Sequence, residues 1–169
     1  MSYETDQVMN YQWLASVIAE HPDATVRGSV RLQNTIWLLQ HVGFPSRYNY
    51  RKFFDGPYSE AVRADIELLS SLGLIEVESS PEGMEPGYTF RAIEKLQIKE
   101  LEKFIEQIRI ISEMETFVLD CAATYEAFRD LGLPDEEAWV SVCLKKGNLC
   151  DEITTEHAKK FLEKLGLLP

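Results

Sequence analysis

The chain has 169 residues, 45% of them hydrophobic and 27% charged, with 9 Gly and 7 Pro, which excludes a collagen-like, low-complexity or disordered chain. One folded unit of this length buries roughly 70% of its unfolded surface and needs neither disulfides nor a metal to fold. A net charge of −11 argues against a general binder of nucleic acid or anionic membrane.

In chain order, Val8, Tyr11, Leu14, Ala15 and Ile18 recur at helical spacing and predict a first helix over about 6–20, stopped by His21-Pro22. A second helix is expected from Ser29 as N-cap, with Leu32, Ile36 and Leu39 on one side, ending at Gly43 ahead of Pro45. From Ser46 to Phe54, Tyr48 and Tyr50 alternate with Arg47, Asn49 and Arg51, the pattern of a short strand. Asp55-Gly56-Pro57 reads as a turn and Ser59 as the cap of a third helix striped by Val62, Ile66, Leu69 and Leu72. Leu74 to Glu78, a loop over 79–87, and Tyr88 with Phe90 then predict a β-hairpin. This is the order of a winged helix, a helix-turn-helix variant.

Beyond about Ala92 the chain reads as helical to Leu131, split at Ser112 by a capping-box spacing, Ser112-Glu-Met-Glu115. Ile98, Leu101, Ile105 and Ile108 stripe the first half, and Phe117, Cys121, Tyr125 and Phe128 the second. A further helix opens at Asp135-Glu-Glu137 and closes at Lys145-Lys146-Gly147, its charges complementing the helix dipole. The last starts at Thr154 or Thr155 and stops at Gly166. The expected fold is therefore mainly α (α+β): a winged-helix-like part over 1–91 and a helical C-terminal region over 92–169, packed as one unit. A surplus apolar stripe on the 93–131 helices would allow a homodimer.

The charge is unevenly placed. Residues 1–24 sum to −4 and residues 64–169 to −11, whereas residues 25–63 carry +4. Arg27, Arg31, Arg47, Arg51, Lys52 and Arg63 in that middle segment are the candidate contacts to nucleic acid or another anion. The recognition helix of a winged helix enters the major groove, yet here it offers Glu60, Asp65 and Glu67 against Arg63, and the hairpin offers Glu78, Glu82 and Glu85 with no base between Leu74 and Phe90. Those three hairpin acids form a candidate surface for a basic partner.

Catalytic and cofactor signals are missing. There is no glycine-rich phosphate loop or dinucleotide fingerprint. Cys143, Cys150 and His157 are too far apart in sequence for locally paired zinc ligands. His21 and His41 stand at helix ends, where an imidazole serves the last carbonyls. No catalytic, cofactor or metal residue is assigned, and the expectation is not an enzyme. No apolar run reaches the ~18 residues of a membrane span, the segment Met1–Asp6 lacks signal-peptide character, and three cysteines suit a reducing compartment. A cytoplasmic protein without membrane partners is expected.

Two strings carry a resemblance. Arg31-Leu-Gln-Asn-Thr-Ile-Trp-Leu-Leu-Gln40 resembles the helix of bacterial and archaeal YwgA-like proteins, and Phe54-Asp-Gly-Pro-Tyr-Ser-Glu60 is similar to their Gly-Pro-Tyr-Ser turn before a helix ending in Leu72-Gly-Leu-Ile75. Leu119–Tyr125, Gly132, Asp135–Trp139 and Lys145 extend the likeness, while Asn34 and Asp55 depart from the pattern. The Panacea antitoxin-associated domain has a similar Leu-Gln helix and Gly-Pro turn. The first resemblance implies a winged-helix-like fold without a defined activity, and the second implies a protein partner. The function expected is a non-catalytic interaction or regulatory module, antitoxin-like or defence-associated. A DNA-binding transcriptional regulator using residues 27–63 is the alternative.

Overall fold

The structure, a computed structural model, describes residues 8–53, 56–85 and 87–168. Helix α1 spans Asn10–Glu20. It begins later than expected because the Gln12 side chain accepts the Met9 N–H at 2.8 Å and closes the first turn there; the proposed start at Asp6 lies outside the described residues. Past His21, Asp23 and Ala24 both take positive φ, 57° and 51°. This reversal feeds a strand that sequence did not reveal, β1 (Thr25–Arg27). Three residues are too few to show a period, but Val26 is fully buried opposite Phe90.

Helix α2 (Ser29–His41) is capped by Gly28, at φ 103°, and not by Ser29, which is its first residue. Every residue from Leu32 to Leu39 is buried, so α2 is a central helix and its polar side chains must be satisfied internally. Two glutamines seven residues apart do this by clamping loop backbone. The Gln33 amide donates to Ser59 O and accepts from Ser59 N, both at 2.9 Å. The Gln40 amide donates to Tyr48 O at 3.1 Å while its oxygen accepts from Tyr48 N and Ser46 Oγ, each at 2.9 Å.

That second clamp corrects the expected strand over 46–54. The chain stays irregular through Tyr50, and only β2 (Arg51–Phe53) pairs, antiparallel, with β3 (Gly56–Tyr58). Ser59 caps α3 (Glu60–Ser71), accepting from Val62 N at 3.3 Å. Strands β4 (Ile75–Ser79) and β5 (Tyr88–Ala92) form the hairpin, and the sheet order is β1-β5-β4, all antiparallel.

The expected helix from Ala92 does not form. Ile93 N donates to Leu74 O at 2.9 Å, prolonging the hairpin ladder, and tertiary pairing overrides helix propensity. A 3₁₀ turn (Lys99–Phe104) leads into α4 (Ile105–Glu113). Ile98, Leu101 and Ile108 are buried as expected, whereas Ile105 is exposed. Ser112 does not open a helix either. Its hydroxyl donates back to Arg109 O at 2.7 Å, the break falls at Met114, and Glu115 precedes α5 (Thr116–Asp130).

Helix α6 (Asp135–Lys146) has the expected ends. Helix α7 (Glu152–Lys164) starts earlier than Thr154, because Asp151 accepts from Thr154 N at 2.8 Å and caps it. One continuous core runs from Trp13 to Leu165 and draws on both sides of residue 91. α5 packs on α2, β3, α6 and α7, and Trp37 Nε1 donates to Ala123 O at 3.1 Å across the α2–α5 contact. The described protein is mainly helical with a small antiparallel sheet. No helix among the described residues is long and apolar enough to cross a membrane.

Candidate interaction surface on the third helix and hairpin

A helix that buries Val62, Ile66 and Leu69 must turn residues i, i+4, i+7 and i+11 of another row outward. For α3 that row is Glu60, Ala64, Glu67 and Ser71, all exposed. It contains two carboxylates and no cation. Glu78, Glu82 and Glu85 on the hairpin are exposed as well. Between α3 and the hairpin, at the start of α2, lies a groove of about 700 Å³. Its floor is buried and apolar (Leu32, Val62, Ile66, Phe90), and Tyr88, 52% exposed, stands at its rim with Arg63 and Glu67.

The basic candidates stand in different surroundings. Arg31 turns inward, donating to Ile111 O at 3.3 Å, to Met114 O, and to Thr116 Oγ1 at 3.0 Å. It thereby closes the break between α4 and α5, as a cation does at a helix C-terminus. Burial holds its guanidinium below the usual arginine range. Arg51 is exposed and lies 3.6 Å from Glu60. Arg27 and Glu78 both stand opposite Thr89, so they share one face of the sheet. Arg47 and Arg63 are exposed, with Arg63 on the groove side of α3. The Lys52 side chain lies outside the described residues.

The aromatic residues beside those arginines serve the fold. Tyr48 donates to Asp65 Oδ2 at 2.6 Å, and Tyr50 to Gln33 O at 2.9 Å. Burial pushes both phenols far above the ordinary tyrosine range, with the Asp65 bond adding to the shift at Tyr48. His21 Nδ1 and His41 Nδ1 bond the carbonyls of Val17 (2.8 Å) and Trp37 (2.9 Å), four residues earlier in each case.

Two clusters were not legible in sequence. Asp120 accepts from Asn34 Nδ2 at 3.0 Å and from Lys146 Nζ at 2.7 Å, tying α2, α5 and α6 together. Gly56 packs against the same stretch of α5: a Cβ there would meet Thr124 Oγ1 at 3.0 Å, and its φ is 120°. The second cluster is the three thiols, where Cys150 interacts with both Cys121 and Cys143. Burial pushes Cys150 up to about 11 and Cys121 higher still, so Cys121 and Cys150 stay protonated at neutral pH and are poor nucleophiles. Among the described residues, no group of three or more His, Cys, Asp or Glu is arranged to hold a metal ion.

Comparison with known proteins leaves these observations to stand alone. No family model, curated protein or solved structure matches the chain.

Proposed function

We propose that this protein is a non-catalytic interaction or regulatory module whose acidic α3–hairpin face receives a basic partner protein. The reading is carried by the row Glu60, Ala64, Glu67 and Ser71 facing outward on α3 and by the exposure of Glu78, Glu82 and Glu85 on the hairpin. Carboxylates there repel phosphate and attract Lys and Arg. The adjoining groove gives an apolar side chain of the partner a dry seat, which supplies affinity where charge supplies steering. A winged-helix-like N-terminal part is the scaffold we infer. In its favour are the order α1, β1, α2, α3, hairpin and the pairing of β1 with β5; the β2–β3 pair before α3 is an addition to that plan. The resemblance to YwgA-like proteins and the Panacea domain suggests an antitoxin-like or defence-associated role for such a module.

The test is native co-purification at low salt, with wild type and a variant carrying Glu67→Gln, Glu78→Gln, Glu82→Gln and Glu85→Gln. A stoichiometric basic protein retained by wild type and lost from the variant is expected. Equal retention by both would remove the acidic face from the mechanism.

The competing DNA reading rests on the exposure of Arg27, Arg47 and Arg63. Fluorescence anisotropy with random duplex DNA over a salt series decides it. No binding at low salt is expected, whereas affinity that falls with a log–log slope of several units would mean several phosphates are contacted and would reverse the assignment.

A further inference from the structure

The sheet ends in an open edge. Its order is β1-β5-β4, so among the described residues β5 is flanked on both sides and β4 on one side only. The ladder decides which backbone groups of β4 are left over. Ile93 N donates to Leu74 O at 2.9 Å and Ser80 N to Gly87 O at 2.5 Å. Hydrogen-bonded pairs therefore stand at both ends of the hairpin ladder, and such pairs alternate with non-bonded ones along antiparallel strands. Leu74, Glu76, Glu78 and Ser80 thus turn their N–H and C=O groups toward β5, while Ile75, Val77 and Ser79 turn theirs away. Residues 76–79 are all exposed. An edge of this kind is a template for pairing with another strand.

We propose that the free edge of β4 takes an extended basic segment of the partner as a further strand, continuing the antiparallel order. This rests on the basic partner proposed above and specifies how that partner docks. Main-chain hydrogen bonds supply affinity in this mode, and alternate side chains supply specificity. Val77 stands opposite Phe90, and both line the groove between α3 and the hairpin. Glu76 and Glu78 point to the other face of the sheet. A residue paired with Val77 therefore lies on the groove side and is apolar, while the one paired with Glu78 is a cation. Glu76 is already engaged by Arg91, so Glu78 carries the charge recognition. A second copy of the chain is the natural rival for such an edge. The register opposes it. Ile75, Val77 and Ser79 would have to bond one another, so an antiparallel pair centred on Glu76, Val77 or Glu78 sets Glu against Glu. Like charges directly opposite are destabilising.

Amide hydrogen exchange on the full chain tests this, with a peptide of alternating Lys and Val as the probe. In the free protein, the Val77 and Ser79 amides should exchange at least about tenfold faster than those of Glu76 and Glu78, which bond β5. Saturating peptide should slow Val77 and Ser79 by about tenfold or more. A peptide of the same composition with its Lys and Val in separate blocks should bind at least about tenfold more weakly. The alternating peptide N-methylated at its valines, whose N–H groups would face β4, should lose binding to the same degree. Glu78→Lys should weaken the alternating peptide, and Val77→Pro should abolish its binding by removing one outward N–H at an edge position that tolerates proline. The N-methylated peptide makes the same test on unaltered protein. Equal binding of all three peptides would overturn strand addition and leave charge-driven docking in place. No binding of the alternating peptide at about 1 mM would overturn it as well, and co-purification with the four-Gln variant would then judge the basic-partner reading separately. Protection of Val77 and Ser79 that grows with protein concentration alone would assign the edge to a second copy, and the proposal would fall.

Discussion

Along residues 25–63 six cations stand against two acids, while the hairpin from Ile75 to Ala92 carries Glu76, Glu78, Glu82 and Glu85 with Arg91 as its one base. The fold treats the two stretches differently. In the first, Arg31 is bound into the α4–α5 junction, Arg51 meets Glu60, and Arg27 shares its sheet face with Glu78. In the second, Glu76 is drawn into an ion pair with Arg91, and Glu78, Glu82 and Glu85 are exposed. Charge counted in sequence is therefore not charge offered to a ligand. In the basic stretch Arg31 is turned to the interior while Arg27, Arg47, Arg51 and Arg63 are exposed, and the acids of the hairpin lie at the surface. Substitutions in the two stretches should accordingly move different observables.

The sharpest break would come at Gly56, the hinge of the basic stretch. Its φ of 120° is one that side chains rarely adopt, and its Cα lies against α5, where an added methyl meets Thr124 Oγ1 at 3.0 Å. Gly56→Ala should cost about 3 kcal/mol, combining backbone strain with overpacking, measured by urea denaturation. A cost under about 0.5 kcal/mol would mean the turn moves freely against α5.

Arg31→Ala comes next. It removes the donors to Ile111 O, Met114 O and Thr116 Oγ1 and leaves carbonyls at a helix end without their cation. A loss of about 2 kcal/mol is expected, the range for hydrogen bonds to a charged group. Unchanged stability combined with lost DNA binding would make Arg31 a ligand contact and erase the contrast between the stretches.

A pH effect of intermediate size should originate at His21, beside the turn into β1. Burial, and secondarily the nearby Arg31 charge, hold this imidazole below 6.5 against the opposing hydrogen bond that it donates to Val17 O. The unfolded chain therefore takes up the proton first as pH falls. The stability contributed by neutral His21 is full above 6.5 and is lost as pH drops toward the folded-state value. Glu126, raised above 4.5 by burial, works in the opposite sense at the acid end. Melting temperature should thus decline between about pH 7.5 and about pH 5.5. His21→Asn, which keeps a donor for Val17 O, should flatten that decline. An identical slope in the variant would place the titration elsewhere.

Much of the fold was legible because it is written in local signals. The Ser59 cap, the α3 stripe as far as Leu69, the hairpin and both ends of α6 follow from residues near one another in sequence, whereas Leu72, expected in that stripe, is the C-cap of α3 and is exposed. The misses share a different cause. β1 is held by a partner more than sixty residues away, Ile93 by Leu74, and the end of α4 by Arg31 from the other half of the chain. No local period records such bonds. The strings on which the expectation of a YwgA-like likeness was built are informative in the same way. Gln33 and Gln40 clamp loops, Gly56 seats against α5, and Tyr125 stacks on Trp139 at 4.0 Å and donates to Asp135 Oδ1 at 2.5 Å. The glutamines order the first half, Tyr125 orders the second and Gly56 joins the two, so a likeness built on these residues speaks to architecture before activity. The candidate surface was half legible. The sign of the acids is plain in the sequence, and only the fold showed which of them are exposed and that Arg31 turns inward.

The smallest expected effect on stability is also the most discriminating. Glu67→Gln, Glu78→Gln, Glu82→Gln and Glu85→Gln each remove one exposed carboxylate, and surface substitutions of this kind usually stay within about 0.5 kcal/mol. Neutralising four like charges on a chain of net charge −11 should, if anything, relieve repulsion and raise the melting temperature slightly at low salt. The gain should shrink as salt screens the remaining charges. If these carboxylates instead supported the fold, the variant would lose stability at every ionic strength, and the difference between Arg31 in the interior and the carboxylates at the surface would collapse. A variant as stable as wild type that no longer retains the partner would separate the two roles, because nothing but the outward charge would have changed.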